Sequence, residues 1–301
     1  MAEPEHRTPL DASYPSRLRT MDDPPATVTL RGGPLEAAQA IAIVGTRYPT
    51  DEARAFARDL AAAVARAGAV VVSGGAHGID AAAHEGALDA GGRTWVVAAT
   101  GHERCYPSSH SALFERIGRG PGTMLWPFAP THASRSAFLV RNEILVALSD
   151  AVVVAQAGFP SGALHAARWA VRLRKPLWVV PAAPWMATFR GSVQLLDHGA
   201  RPLTSSAALL ESLGLSAPAI ATGGGPGASS AQAAVDAARF SPHEFRVLSA
   251  ISDKPLHTDA IAVRAGETSR ATTAALLTLA LEDVVVEGPP GFFRRRQSPN
   301  L

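Results

Sequence analysis

The chain has 301 residues, 47% of them hydrophobic and 18% charged, with a formal net charge of +2. That length can bury one large core or two ordinary ones, and the composition excludes a disordered chain. The single cysteine, Cys105, excludes a disulfide framework and an all-cysteine zinc site, and no apolar run reaches the roughly 18 residues of a membrane span.

Residues 1–40 carry prolines and charges with no apolar h-region, so no signal peptide is expected, and they read as an N-terminal extension. From residue 41 the pattern alternates. IAIVG (41–45) is a buried strand. DEARAFARDLAAAVARAG (51–68) is a helix, with Thr50 ahead of it, acids in its first turn and Gly68 closing it. AVVVS (69–73) is a strand, GIDAAAHEGALDAGG (78–92) a helix closed by Gly91, and TWVVAAT (94–100) a strand. A polar loop, GHERCYPSSH, leads into a short helix ending near Ile117. TMLW (123–126) is a strand, FLVRNEILVALS (138–149) a helix and AVVVAQA (151–157) a strand. SGALHAARWAVRLRK (161–175) is a helix and PLWVVPA (176–182) the last main strand. Near-continuous apolar strands between amphipathic helices specify a mainly parallel sheet covered on both faces. The fold class is α/β, an extended, doubly wound Rossmann-like domain over 41–215.

Residues 216–238 are rich in Gly, Ala, Ser and Pro and read as a flexible linker. Residues 239–297 hold three helical stretches (241–251, 258–266, 268–283) and a hairpin, VVVEGPPGFFRRR (284–296), with Pro-Pro-Gly at its tip. Three helices and a wing predict a small winged helix. Its third helix has one Arg and two acids, which suits protein contact better than DNA phosphates.

Two glycine-bearing turns carry the chemistry. Ser73-Gly74-Gly75-Ala76-His77-Gly78 joins a strand to a helix, but Ser stands where a dinucleotide fingerprint needs its first Gly, and the turn follows the second strand. Neither lysine, Lys175 or Lys254, follows a Gly, so no P-loop exists. No cofactor is therefore expected. Gly74 and Gly75 can still let a ligand approach the main chain, and the free amides at the next helix start favour an anion. A tight structural turn explains the glycines equally well. The second turn places Gly158, Ser161 and Gly162 between a strand and a helix, where Ser161 caps the helix or meets a phosphate. Both turns, and Arg47 after IAIVGT, fall at the carboxyl ends of parallel strands, where α/β ligands bind. Arg141 and Asn142 near a helix start are either pocket residues or a surface Arg beside a capping Asn. Lys175 precedes a strand, at the opposite edge. His77, Asp80 and His84 make too sparse a set for a metal, and Asp80 reads as a tie for the glycine turn or the helix amides. Cys105 beside His102 reads as an ordinary loop cysteine.

The blocks AIVGTR (42–47), SGGAHGIDAAAHEGAL (73–88), Tyr106-Pro107, RNEILVALSDAVVV (141–154), PSGALHAAR (160–168) and Gly199-Ala200 come in the order of the DNA-processing protein A (DprA or Smf) family, which the chain resembles over about 14–213. Tyr14-Pro15, Pro24-Pro25 and Arg31-Gly32 match that family's upstream pieces. The resemblance implies a cytoplasmic, homodimeric, non-enzymatic protein that binds and protects single-stranded DNA and loads the RecA recombinase in natural transformation. It also implies that Arg47 meets a phosphate and Gly74 and Gly75 offer amides. Phe138, Arg141 and Asn142 would line the pocket, Ser161 and Gly162 form its second turn, and Lys175 match a basic position. Departures are Met124-Leu125 for Ser-Glu, Glu143 for Arg, and Pro181-Ala182 for Pro-Gly. Two other readings stay open. A nucleotide phosphoribohydrolase would need a Glu after the second turn, where His165 and Arg168 stand. A winged-helix transcription regulator would sense a nucleotide through the Rossmann domain.

Overall fold

The computed structural model describes residues 4–134, 136–215, 241–251, 255–281, 284–288 and 291–295. The chain divides into two compact units, Met1–Ala221 and Thr222–Leu301. The linker at 216–238 lies outside the described residues.

In the first unit the parallel strands are β3 (Ala40–Gly45), β4 (Val70–Ser73), β5 (Thr94–Val97), β6 (Thr123–Trp126), β7 (Ala151–Gln156), β8 (Leu177–Val179) and β9 (Arg201–Pro202). Residues 1–40 do not stand apart from them. β1 (Glu5–Arg7) and β2 (Val28–Gly32) extend the same sheet antiparallel beyond β6, giving nine strands in the order β1-β2-β6-β5-β4-β3-β7-β8-β9. After β3 the chain moves one way to β4, β5 and β6, then returns to β7 on the other side of β3. That reversal opens a crevice at the carboxyl ends of β3 and β7.

The strands alternate their faces, so each side buries its own set. Ala40, Ala42 and Val44 of β3 pack with Val70 and Val72 against α4 (Ala137–Ala147) and α5 (Gly162–Arg172). Ile41, Ile43 and Val71 face α1 (Asp51–Arg66), α2 (Ile79–Asp89) and α7 (Ser206–Ser212). The helix between β5 and β6 is α3 (Ser111–Arg119), whose Phe114 and Ile117 cover Val96 and Met124. α6 (Arg190–Asp197) follows β8. Thr50 Oγ1 accepts from the Ala53 amide and caps α1, whose first turn carries Asp51 and Glu52.

The N-terminal segment is strapped across the first face. Tyr14 and Leu18 are buried in it, and the Tyr14 hydroxyl donates to the Pro25 carbonyl at 2.8 Å. Arg17 reaches Asp150 Oδ1 at 2.6 Å and the Ala37 carbonyl at 3.0 Å, and the other Asp150 oxygen accepts from the Ala40 amide.

The second unit has α8 (Pro242–Ala250), α9 (Thr258–Ala265) and α10 (Ser269–Leu281), with a three-stranded sheet of β10 (Leu256–His257), β12 (Phe292–Arg295) and β11 (Val285–Glu287). It is a winged helix. Ser241 and Glu244 form a reciprocal capping box at α8, and Gly266 closes α9 in the left-handed region. Val247, Leu248, Ile261, Leu276 and Phe293 build its core. The Pro-Pro pair of the wing tip and Arg296 lie outside the described residues.

Candidate nucleic-acid interface

A cavity of about 290 Å³ opens at the crevice between the carboxyl ends of β3 and β7. Arg47 and Tyr48 of the β3–α1 loop line it, with Ala76 and Asp80 of the β4–α2 segment, Phe138, Arg141 and Asn142 of α4, and Ser161 and Gly162 at the start of α5. Four segments far apart in sequence thus meet at one point.

The two arginines differ. Arg47 is exposed, and its guanidinium lies 5.0 Å from the centre of the Phe138 ring. Phe138 is backed in turn by Tyr106, edge-on at 5.5 Å. Arg141 is 5% exposed and forms the floor. Its guanidinium sits over Gly74, where any Cβ would fall on its Nη1. The Asp80 carboxylate, also 5% exposed, lies 3.8 Å from Nη1, an ion pair longer than a hydrogen bond. Burial pushes the Asp80 carboxyl up and the Arg141 guanidinium down, and each charge opposes the other's shift. Asp80 Oδ2 also accepts from the Ala76 amide at 3.3 Å, which ties down the glycine turn. Two guanidinium groups against one carboxylate leave the cavity net positive.

The space at Gly74 and Gly75 is filled from inside the protein. Arg141 occupies the first, and Gly75, at φ 70°, has Phe114 where a Cβ would stand, 2.9 Å from it. Ala76 is the part of this turn that lines the cavity. Ser161 caps α5, its Oγ accepting from the Ala163 amide at 3.2 Å. Gly162 is exposed, with nothing within 4 Å of a Cβ, and its carbonyl accepts from Asn142 Nδ2 at 3.1 Å. Asn142 thereby clamps the start of α5 to α4. Lys175 sits ahead of β8, at the amino edge, away from the cavity within one chain. Glu143 does not line the cavity: its charged neighbours are Arg172, Asp22 and Asp23, and burial raises its carboxyl. Met124 and Leu125 are buried in the sheet.

Two polar residues of the strands carry more than their sequence suggests. Gln156, fully buried at the end of β7, accepts from the Thr50 amide through Oε1 at 2.9 Å, while its own carbonyl accepts from the Thr46 amide. It therefore sets the loop that presents Arg47. Ser73 Oγ donates to the Ile43 carbonyl at 2.6 Å and locks β4 to β3 beneath the turn. A polar residue breaking an otherwise apolar strand was the signal for both.

His77, Asp80 and His84 do not converge. His77 packs on His110, ring centres 4.5 Å apart, and His110 Nδ1 meets the Gly75 carbonyl. His84 is buried, and loss of solvent holds its imidazole down at about 3. Thr94 Oγ1 donates to the Val71 carbonyl, so His84 Nδ1–H donates to Thr94 at 2.7 Å, which fixes the neutral tautomer.

A family model described as DNA recombination-mediator protein A matches residues 5–214, and one described as DprA winged helix domain matches 229–291. The chain is 41% identical over 179 residues to a putative DNA processing protein DprA of Mycobacterium tuberculosis, covering 59% of this chain and 46% of that protein. It spans about half the length of the first relatives it matches. Two solved structures resemble it. One is DprA from Streptococcus pneumoniae (TM-score 0.65, 28% identity, 70% of this chain and 74% of that one). The other is DprA from Helicobacter pylori, described for its single-stranded DNA binding mode (TM-score 0.63, 30% identity, 69% and 95%).

Proposed function

The chain belongs to the DNA recombination-mediator protein A family, and from that premise we propose that its α/β unit binds single-stranded DNA at the crevice, phosphate first and base second. One observation carries this reading: Arg47 stands exposed against Phe138 at the mouth of a cavity whose floor is a second, buried guanidinium. A phosphate at the mouth gains Arg47's fork and the Gly162 amide at the positive end of α5, with Arg141 supplying charge from below. The Phe138 ring suits a base. Gly74 and Gly75 serve by seating Arg141 and the turn, and Ser161, Gly162 and Asn142 hold the far wall. None of these groups is arranged to read base edges, so binding is sequence-blind and salt-dependent. Asp80 is held by Arg141 and the Ala76 amide, which suits a charge-balancing role better than that of a general base.

At the level of the whole protein, the reading extends to a cytoplasmic homodimer that shields incoming single strands and hands them to RecA in natural transformation. Two pockets on one strand raise affinity through effective concentration, and a second copy is the means by which Lys175 could join. Among the described residues, no helix is long and apolar enough to cross a membrane.

The test is fluorescence anisotropy with labelled oligo-dT, single-stranded and duplex, at two salt concentrations. Wild type should prefer the single strand and lose affinity with salt. Arg47→Ala should weaken it about ten-fold or more, the loss of one charge-assisted contact. No binding at low salt would overturn the reading. Duplex preference would move DNA binding to the winged helix, and release of base from a nucleoside monophosphate would make the crevice an enzyme site.

A further inference from the structure

Three aromatic side chains stand exposed on the same edge of the sheet as the crevice. Tyr48 follows β3 and is 88% exposed, Phe159 follows β7 at 58%, and Trp185 follows β8 at 85%. β3, β7 and β8 are consecutive neighbours in the sheet, so the rings are dealt out one per strand. Among the described residues none of the three makes a ring–ring or cation–ring contact. On the β5 side, by contrast, Tyr106 is already engaged with Phe138. The loop that carries Trp185 is also held. The Thr188 carbonyl accepts from Gln156 Nε2 at 3.4 Å, the same side chain that sets the Arg47 loop. Ser192 exchanges two hydrogen bonds with the Ala157 main chain, at 2.9 and 3.0 Å, just ahead of Phe159. Exposed Arg47 lies beside Tyr48 at one end of the row, and exposed Arg190 precedes Gly191 and Ser192, which pack on the Ala157 and Gly158 main chain just ahead of Phe159.

We propose that a single strand seated at the crevice continues along the carboxyl edge toward β8, with successive bases stacking on Tyr48, Phe159 and Trp185. This rests on the single-strand reading of the crevice and adds the path by which the strand leaves it. The span from β3 to β8 is two strand spacings, roughly 10 Å. With one base on each ring, that path takes about three nucleotides. Stacking on exposed aromatic rings, with arginines for the backbone, accepts any base.

The experiment compares a thymidine dinucleotide with a twelve-nucleotide oligo-dT on the full chain. Trp185→Ala should weaken the longer ligand by about five-fold more than the shorter one, and Trp185→Phe should restore most of that loss. Of the five tryptophans, Trp185 is the one bare to solvent, while Trp95, Trp126 and Trp178 are buried. The longer ligand should therefore quench tryptophan emission in wild type, and Trp185→Phe should remove that quenching. If the longer ligand binds, and Arg47→Ala weakens it, but neither affinity nor emission responds to Trp185, the proposed path is wrong while the crevice reading stands. If Arg47→Ala has no effect either, the crevice reading fails as well. If Trp185→Ala halves the sedimenting mass, the ring belongs to a contact between two copies, and the path is overturned.

Discussion

The two glycine-bearing turns of the crevice look alike in sequence and do opposite things. In the β4–α2 turn the room left by glycine is taken by protein: Arg141 over Gly74, Phe114 against Gly75. In the β7–α5 turn Gly162 faces open space, and its carbonyl is tied back to Asn142. The first turn thus stores a buried charge close to the cavity, and the second leaves its wall open. A glycine before a helix says that something comes close. It does not say whether that something is a ligand or the protein's own arginine.

This contrast is broken most severely at Arg141. Arg141→Ala leaves the buried Asp80 carboxylate without its counter-charge, a loss of about 3–5 kcal/mol of stability for a broken buried pair. The pH dependence has a definite sign. Burial already raises the folded-state pKa of Asp80, and removing Arg141 raises it further. The folded variant therefore holds the proton more tightly than the unfolded chain. Its deficit against wild type should be smallest in acid, below the ordinary carboxyl value, and should grow as pH climbs through the folded value. Urea unfolding of both proteins at pH 5 and pH 8 measures this; a deficit that shrinks toward pH 8 would contradict the buried pair.

The next effect sharpens the filled turn. Gly74→Ala puts a methyl where the Arg141 guanidinium lies, so the arginine must move. Overpacking of this kind costs about 1–3 kcal/mol, and the displaced charge should weaken oligo-dT binding at the same time. Thermal unfolding and anisotropy on one preparation would show both losses together, and an undisturbed Tm would mean that Arg141 is not seated there. The smallest effect belongs to the open turn. Gly162→Ala starts α5 with a better helix former and meets no atom, so stability should change by no more than about 1 kcal/mol, in the stabilising direction. A larger loss in urea unfolding would show that this wall is not clear.

Much of the first unit was legible because its strands are unbroken apolar runs and α1, α5 and α7 open on a capping Thr or Ser. IAIVG, AVVVS and AVVVAQA lie where continuous burial on both faces demands strands. β1 and β2 were not legible: three and five residues, partly exposed on the sheet's far edge, give too short a period to separate from loop. β8 stops at Val179, short of Pro181, because a proline cannot continue the ladder. In the second unit, β10 is two residues long and its pairing with β12 leaves no local pattern. At the site, the convergence of Arg47 with the second turn followed from sheet topology alone. The burial of Arg141 did not, because an arginine near a helix start defaults to the surface. Its spacing held a clue: Arg141 lies three and four residues before Ile144 and Leu145, on the stripe that α4 buries. What its partner would be depended on Asp80, sixty-one residues earlier in the chain and brought close only by the packing of two layers.

The strap formed by Arg17 and Asp150 also sets an order of events on the ribosome. β2 pairs with β6, and Arg17 closes on Asp150, 133 residues later in the chain. At a translation rate of about 10 residues per second, the segment carrying Tyr14 and Leu18 waits roughly 13 seconds before its last partner is made. For that interval, a stretch whose apolar side chains belong in the core has emerged into the cell without the surface it fits, and chaperones have their longest opportunity to meet it there.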